Sequence, residues 1–245
     1  MIGRFEEDYT SKKIKNWICQ NSDPKYQKFA SSLLPGITNV KGVKRPIIQH
    51  FAAQIAKGNW QSYLKIAGDD SFEEIMLHGL VIALIKETAL EKQQKLEQFI
   101  GKINNWSVCD GVCANIKQVK AERCKWWPWV KKYADSDDEF TVRFGVVMIL
   151  SHFIAEDYLD EIFEVLNKKH FSGYYAQMAV GWAIAEIYAH FPVQTEKFLE
   201  NNLLEKEVQN KAIRKICESL KISSCDKERV RKLKNKRKDF RLSSL

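Results

Sequence analysis

Met76-Leu77-His78-Gly79-Leu80-Val81, Val108-Cys109-Asp110-Gly111-Val112-Cys113, Val142-Arg143-Phe144-Gly145-Val146-Val147 and Ala179-Val180-Gly181-Trp182-Ala183-Ile184 decide the fold. Each stretch is mainly apolar, lies inside a segment of helical spacing, and holds one glycine. Gly79, Gly111, Gly145 and Gly181 recur at intervals of 32, 34 and 36 residues. A glycine inside a helix costs about 1 kcal/mol relative to alanine. Four at near-regular spacing point to a shared cause, the close approach of neighbouring helices at equivalent places in stacked hairpins.

The same helical spacing continues in both directions, and no segment shows the alternation of a half-buried strand. Helices are expected near 5–20, 24–34, 45–57, 59–67, 72–87, 90–103, 105–117, 120–133, 137–154, 156–168, 173–190, 192–202, 205–220 and 226–240. Ser71 with Glu74, and Ser136 with Glu139, have the spacing of a capping box, which satisfies the open N–H groups of a first turn. Pro46 and Pro192 suit first-turn positions, where the missing N–H costs nothing. Only 11 Gly and 5 Pro punctuate 245 residues, too few turn residues for an all-β chain of this length. A hairpin period in the thirties without the Trp, Leu-Gly and Tyr positions of tetratricopeptide repeats favours an all-α, HEAT-like solenoid with a concave binding face. The expected organisation is one repeat domain over residues 1–225, followed by a basic C-terminal helix or tail over 226–245.

The net charge is +8, but residues 226–245 hold nine Lys/Arg against three acids, leaving only +2 for the rest. The basic element could approach a polyanion or simply remain a solvated end. Six cysteines form no CxxC pair and no Cys/His zinc pattern, so no metal site is expected. The first residues lack the apolar core of a signal peptide, and the longest apolar runs, such as Phe144–Leu150, are too short to span a bilayer. A reduced, cytoplasmic protein that makes no membrane contact follows as the expectation.

The repeat positions also carry the residues with chemical potential. Asp110 precedes Gly111, Arg143 lies two residues before Gly145, and Trp182 follows Gly181. Trp106, four residues before Asp110, shares its helix face. Each has an ordinary explanation: a first-turn acid, a surface ion pair, and two core indoles. Together they also suit a site where a carboxylate meets developing positive charge, indoles pack on a sugar, and an arginine grips phosphate. The cluster Trp126-Trp127-Pro128-Trp129 reads as packing between hairpins, with Pro128 breaking or kinking its helix.

Asn105-Trp106-Ser107-Val108-Cys109-Asp110 resembles the Trp-x-x-x-Asp signature of the AlkD-like DNA alkylation repair family. Phe140-Thr141-Val142-Arg143-Phe144 resembles its arginine-bearing helix opening, and Ala179-Val180-Gly181-Trp182-Ala183-Ile184 its Gly-Trp helix. Val43-Lys44-Arg45-Pro46 is similar to its Gly-Val-x-x-Pro stretch, and Ser71–Leu84 to its Glu-containing third-pair helix. The resemblance covers residues 30–220 and implies a glycosylase that removes N3- and N7-alkylated purines from double-stranded DNA, as a monomer without a cofactor. It implies that Asp110 is the catalytic carboxylate, that Trp106 and Trp182 flank the deoxyribose of the lesion, and that Arg143 holds a nearby phosphate. Ala185 stands where the family commonly has arginine, and Val142 where it is often basic. These departures keep two other readings open: a protein of this fold that binds DNA structure without excision, and a protein–protein scaffold. If the tail touches DNA, deletion of residues 226–245 lowers the slope of log binding constant against log salt concentration, because fewer counterions are released. An unchanged slope in equilibrium titrations makes the tail a bystander.

Overall fold

The computed structural model describes residues 8–168 and 170–234. Among them are fourteen α-helices and no strand: α1 (Ser11–Asn21), α2 (Pro24–Ser32), α3 (Arg45–Lys57), α4 (Trp60–Ile66), α5 (Phe72–Leu84), α6 (Ala89–Ile100), α7 (Trp106–Asn115), α8 (Arg123–Ala134), α9 (Glu139–His152), α10 (Leu159–Leu166), α11 (Tyr174–His190), α12 (Pro192–Glu200), α13 (Lys206–Glu218) and α14 (Ser224–Leu233). The chain is all-helical, as expected. Residues 5–7 and 235–245, which the helix spacing and the basic tail bring into the expectation, lie outside the described residues.

Local chemistry sets most helix ends. Ser71 accepts from the Glu74 N–H at the start of α5, and Pro46 and Pro192 sit in the first turns of α3 and α12. A complete capping box joins Thr88 and Glu91 at the start of α6. Three expectations change. Thr10 caps α1, so that helix begins at Ser11 rather than near residue 5. Asp138, not Ser136, caps α9 by accepting from the Thr141 N–H, which releases Glu139 for a longer-range contact. Pro128 does not end its helix: α8 runs through it to Ala134, with the proline on the exposed side.

The chain forms two compact units, Met1–Trp126 and Trp127–Leu245. In the first unit, α5 packs against α3 on one side and α7 on the other. In the second, α11 lies between α9 and α13. A helix with a neighbour on each side has little solvent face. Accordingly, eleven of the thirteen residues of α5 are buried. Flanking helices such as α10 bury only one stripe, with Leu159, Ile162 and Leu166 inward.

The glycines lie at the contacts between these helices. A Cβ at Gly79 would run into Val112 of α7 and the Phe99 ring of α6. One at Gly145 would meet backbone of α8, at Ala134 and at Tyr133 C, 2.8 Å away. At Gly181 the nearest atoms are the Ala212 and Lys211 backbone of α13, at 3.1 and 3.2 Å. The aromatic cluster is structural too. Trp126 is fully buried, and Trp127 packs on Phe153 and Tyr158 while its indole N–H donates to Glu161 at 2.7 Å. Part of the C-terminal charge is also committed. Val230 and Leu233 of α14 are buried, and Arg229 pairs with Glu196 and Asp226.

Backbone cannot move aside as a flexible side chain can. Gly145→Ala is therefore expected to cost about 1–3 kcal/mol, read as a drop of several degrees in melting temperature. Gly101→Ala, with open space around its Cβ, should be neutral. Equal melting of the two variants contradicts the close approach at α8.

His78 of α5 is a second weak point. Burial, reinforced by Lys102, pushes its imidazole down to about 4, and its Nδ1 has no hydrogen-bond partner among the described residues. As pH falls from about 6.5 towards 4, the unfolded chain binds a proton that the folded chain refuses, so stability is lost over that window. The loss approaches about 1.4 kcal/mol per pH unit. In chemical denaturation, His78→Gln should lack this component of the pH dependence. A wild-type and variant difference that stays constant from pH 7 to 4 contradicts it.

Candidate nucleic-acid interface

In the first unit, Asn105 caps α7 by accepting from the Val108 N–H, which places Trp106 and Asp110 one turn apart. Val108, Cys109, Val112 and Cys113 are buried, whereas Trp106 and Asp110 are both part-exposed. The Trp106 indole N–H donates to the Leu33 carbonyl at 3.0 Å, so the ring is held by the end of α2.

Trp106 borders a pocket of about 170 Å³, with Tyr26, Leu33, Arg45, Phe72, Met76 and Ser107 among its walls. Arg45, the first residue of α3, enters from the loop before it. That loop is held by Glu73, a fully buried carboxylate. Its oxygens accept the N–H groups of Lys41, Gly42 and Val43 at 2.7–3.2 Å. Gly42 adopts φ +92°, and a Cβ there would strike the Asp23 carbonyl and Gln27. Gly111 of α7 leaves room for Arg45 and Met76. A Cβ would lie 3.3 Å from Arg45 Nη2 and 3.2 Å from Met76 Sδ.

In the second unit, Arg143 and Trp182 occupy different environments. Arg143 is buried, and its Nη1 donates to the Tyr175 carbonyl at 2.9 Å. Glu139 accepts the Tyr175 N–H at 2.6 Å, and Phe140 stacks on the Tyr175 ring. The first turn of α11 is thus fastened to α9 by an acid, an arginine and a ring. Trp182 projects from α11 with 38% of its surface exposed, although Gly181, Ala183, Ile184 and Ala185 around it are buried. Lys211 of α13 lies over the Tyr174 ring, 5.7 Å from its centre, at the start of the same helix.

The structure brings Trp106 and Asp110 together on α7 and puts Trp182 in solvent rather than in the core. It buries Arg143 and sets its Nη1 on the Tyr175 carbonyl. Sequence reading missed the Arg45 pocket and the Glu73 clasp. Arg45 stood only inside a short motif, and no spacing rule links Glu73 to amides thirty residues earlier. A larger, open cleft of about 810 Å³ lies between the end of α5, the start of α6 and residues 117–125, and it holds none of the four residues. Among the described residues, no group of three or more His, Cys, Asp or Glu side chains could hold a metal ion, and no helix is long and apolar enough to cross a membrane.

No curated protein and no solved structure matches the chain. A sequence model of the family described as DNA alkylation repair enzyme matches residues 14–219. The chain therefore belongs to the DNA alkylation repair enzyme family, which gives it a role in DNA repair with DNA as its partner.

Proposed function

We propose that this protein is a HEAT-like DNA glycosylase that hydrolyses the N-glycosidic bond of N3- or N7-alkylated purines in duplex DNA. It would work as a cytoplasmic monomer without a cofactor. The observation that carries this reading is the pair on α7: a pinned indole and a part-exposed carboxylate one turn apart, beside the buried Val108, Cys109, Val112 and Cys113. An alkylated purine already bears positive charge. As the C1′–N bond breaks, its electron pair leaves with the base and neutralises it, and the positive charge passes to the sugar. Asp110 stabilises that charge and orients the water whose oxygen bonds to C1′ and whose proton is released. The leaving group needs no general acid, so one carboxylate suffices.

By the resemblance, an indole face of Trp106 would pack on the deoxyribose; in the second unit, Trp182 would offer an indole face to DNA and Arg143 positive charge to a phosphate. Binding without excision is the second reading. It is favoured by Ala185, a buried small residue where the family commonly has arginine.

Asp110→Asn separates these readings. A group that acts only as charge develops lowers the barrier without tightening the ground state. Single-turnover excision of N7-methylguanine from a duplex should slow by roughly a hundredfold or more, while DNA affinity holds or rises slightly. Arg143→Ala should first weaken binding. If folded Asp110→Asn excises like wild type, Asp110 is not catalytic. If wild type releases no base after long incubation, the glycosylase assignment fails for that lesion.

A further inference from the structure

Among the described residues, Arg45 is the one strongly charged group in the walls of the Trp106 pocket. Ala30, Leu33, Leu34, Val43, Ile48, Phe72 and Met76 make those walls largely apolar, and no carboxylate lines them. Arg45 is half-buried and makes no hydrogen bond or ion pair with another described residue. A guanidinium carries five N–H donors and stays charged at any physiological pH. Removing it partly from water without a counter-charge is costly. The cost suits a site that waits for an anion, because low-dielectric walls strengthen the attraction once the anion arrives.

From this geometry we propose that Arg45 seats one backbone phosphate of duplex DNA at the mouth of the Trp106 pocket. The assignment rests on the DNA-binding part of the proposed function and adds a residue that the resemblance does not supply. Three features fix the guanidinium in place. Glu73 gathers the Lys41, Gly42 and Val43 amides and sets the loop that leads into Arg45. Gly111 leaves space for Nη2 against α7, one residue from Asp110. The Leu33 carbonyl holds the neighbouring indole. An arginine fork offers two parallel N–H groups to two phosphate oxygens. A cationic alkylated base would be repelled there. The charge sorts the nucleotide, phosphate towards Arg45 and cationic base away from it, with the sugar at the indole beside the carboxylate. Arg45 is thus a positioning residue, whereas Asp110 acts on the reacting atoms.

The test is equilibrium binding of a lesion duplex across a salt series by wild type, Arg45→Ala and Arg45→Lys, with thermal melting of each. A second arm uses duplexes in which one phosphate at a time is replaced by an uncharged methylphosphonate. Arg45→Ala should lose about tenfold in affinity, and its slope of log binding constant against log salt should fall by about 0.9, the value for one phosphate contact. Arg45→Lys should keep the slope and recover only part of the affinity, since it lacks the fork. Wild type should be weakened by one particular methylphosphonate near the lesion to which Arg45→Ala is indifferent, an effect that mere misfolding does not produce. Wild type that binds with normal salt dependence, while Arg45→Ala keeps both its slope and its methylphosphonate profile, overturns the seat and leaves the DNA reading intact. Wild type without salt-dependent duplex binding overturns the DNA reading itself. If Arg45→Ala fails to fold, wild type that tolerates every single methylphosphonate overturns the seat.

Discussion

The structure depends on how closely its inner helices approach their neighbours. α5 and α11 each lie between two other helices, and at Gly79 and Gly145 there is no room for a Cβ. At Gly145 the obstacle is backbone, which has no rotamer to change. Glycine's intrinsic penalty in a helix is tolerated there because close packing recovers dispersion contacts along the whole helix. The inner helices are consequently apolar almost all round and show little amphipathic signal. Burial of one stripe, as in α10, belongs to the helices outside them.

That constraint also selects the exposed chemistry. A helix buried on most sides keeps only a narrow strip in solvent, and what stands in that strip is conspicuous. On α7 the part-exposed side includes Trp106 and Asp110. On α11 it includes Trp182, an indole left 38% exposed among buried small residues. A single exposed ring does not by itself require a ligand, since lone apolar side chains are common on protein surfaces. Membership of a DNA repair family supplies the class of ligand.

Electrostatics does the remaining placement through acids and backbone. Glu73 and Glu139 are unrelated in sequence context, yet each reaches across to amides of another segment. Glu73 organises the loop before α3, and Glu139 fastens the start of α11. Charge-assisted bonds to backbone N–H groups are among the stronger ones available to a protein. In both places they act next to a candidate DNA-facing side chain, Arg45 in the first unit and the Tyr174–Trp182 helix in the second.

The helices, their order and most of their ends were legible in the sequence, because apolar spacing, Ser71, Pro46 and Pro192 act within a turn or two of the backbone they shape. The Trp106–Asp110 pair was legible for the same reason, since four residues always make one helical turn. Contacts between distant residues were not. Arg143 reached the Tyr175 carbonyl, 32 residues away. Trp106 found Leu33, 73 residues earlier, and Glu73 found the amides of Lys41, Gly42 and Val43. Asp138 displaced Ser136 as a cap, and Pro128 stayed within a helix that its ring disfavours. The amino-acid sequence by itself determined which segments become helices and, in flanking helices such as α10, which face they bury, because those are local balances of propensity and hydrophobic period. Only the tertiary structure decided that Arg45 and Trp106 meet around one pocket, with Gly111 leaving room for the guanidinium, because that meeting depends on how α3, α5 and α7 pack side by side.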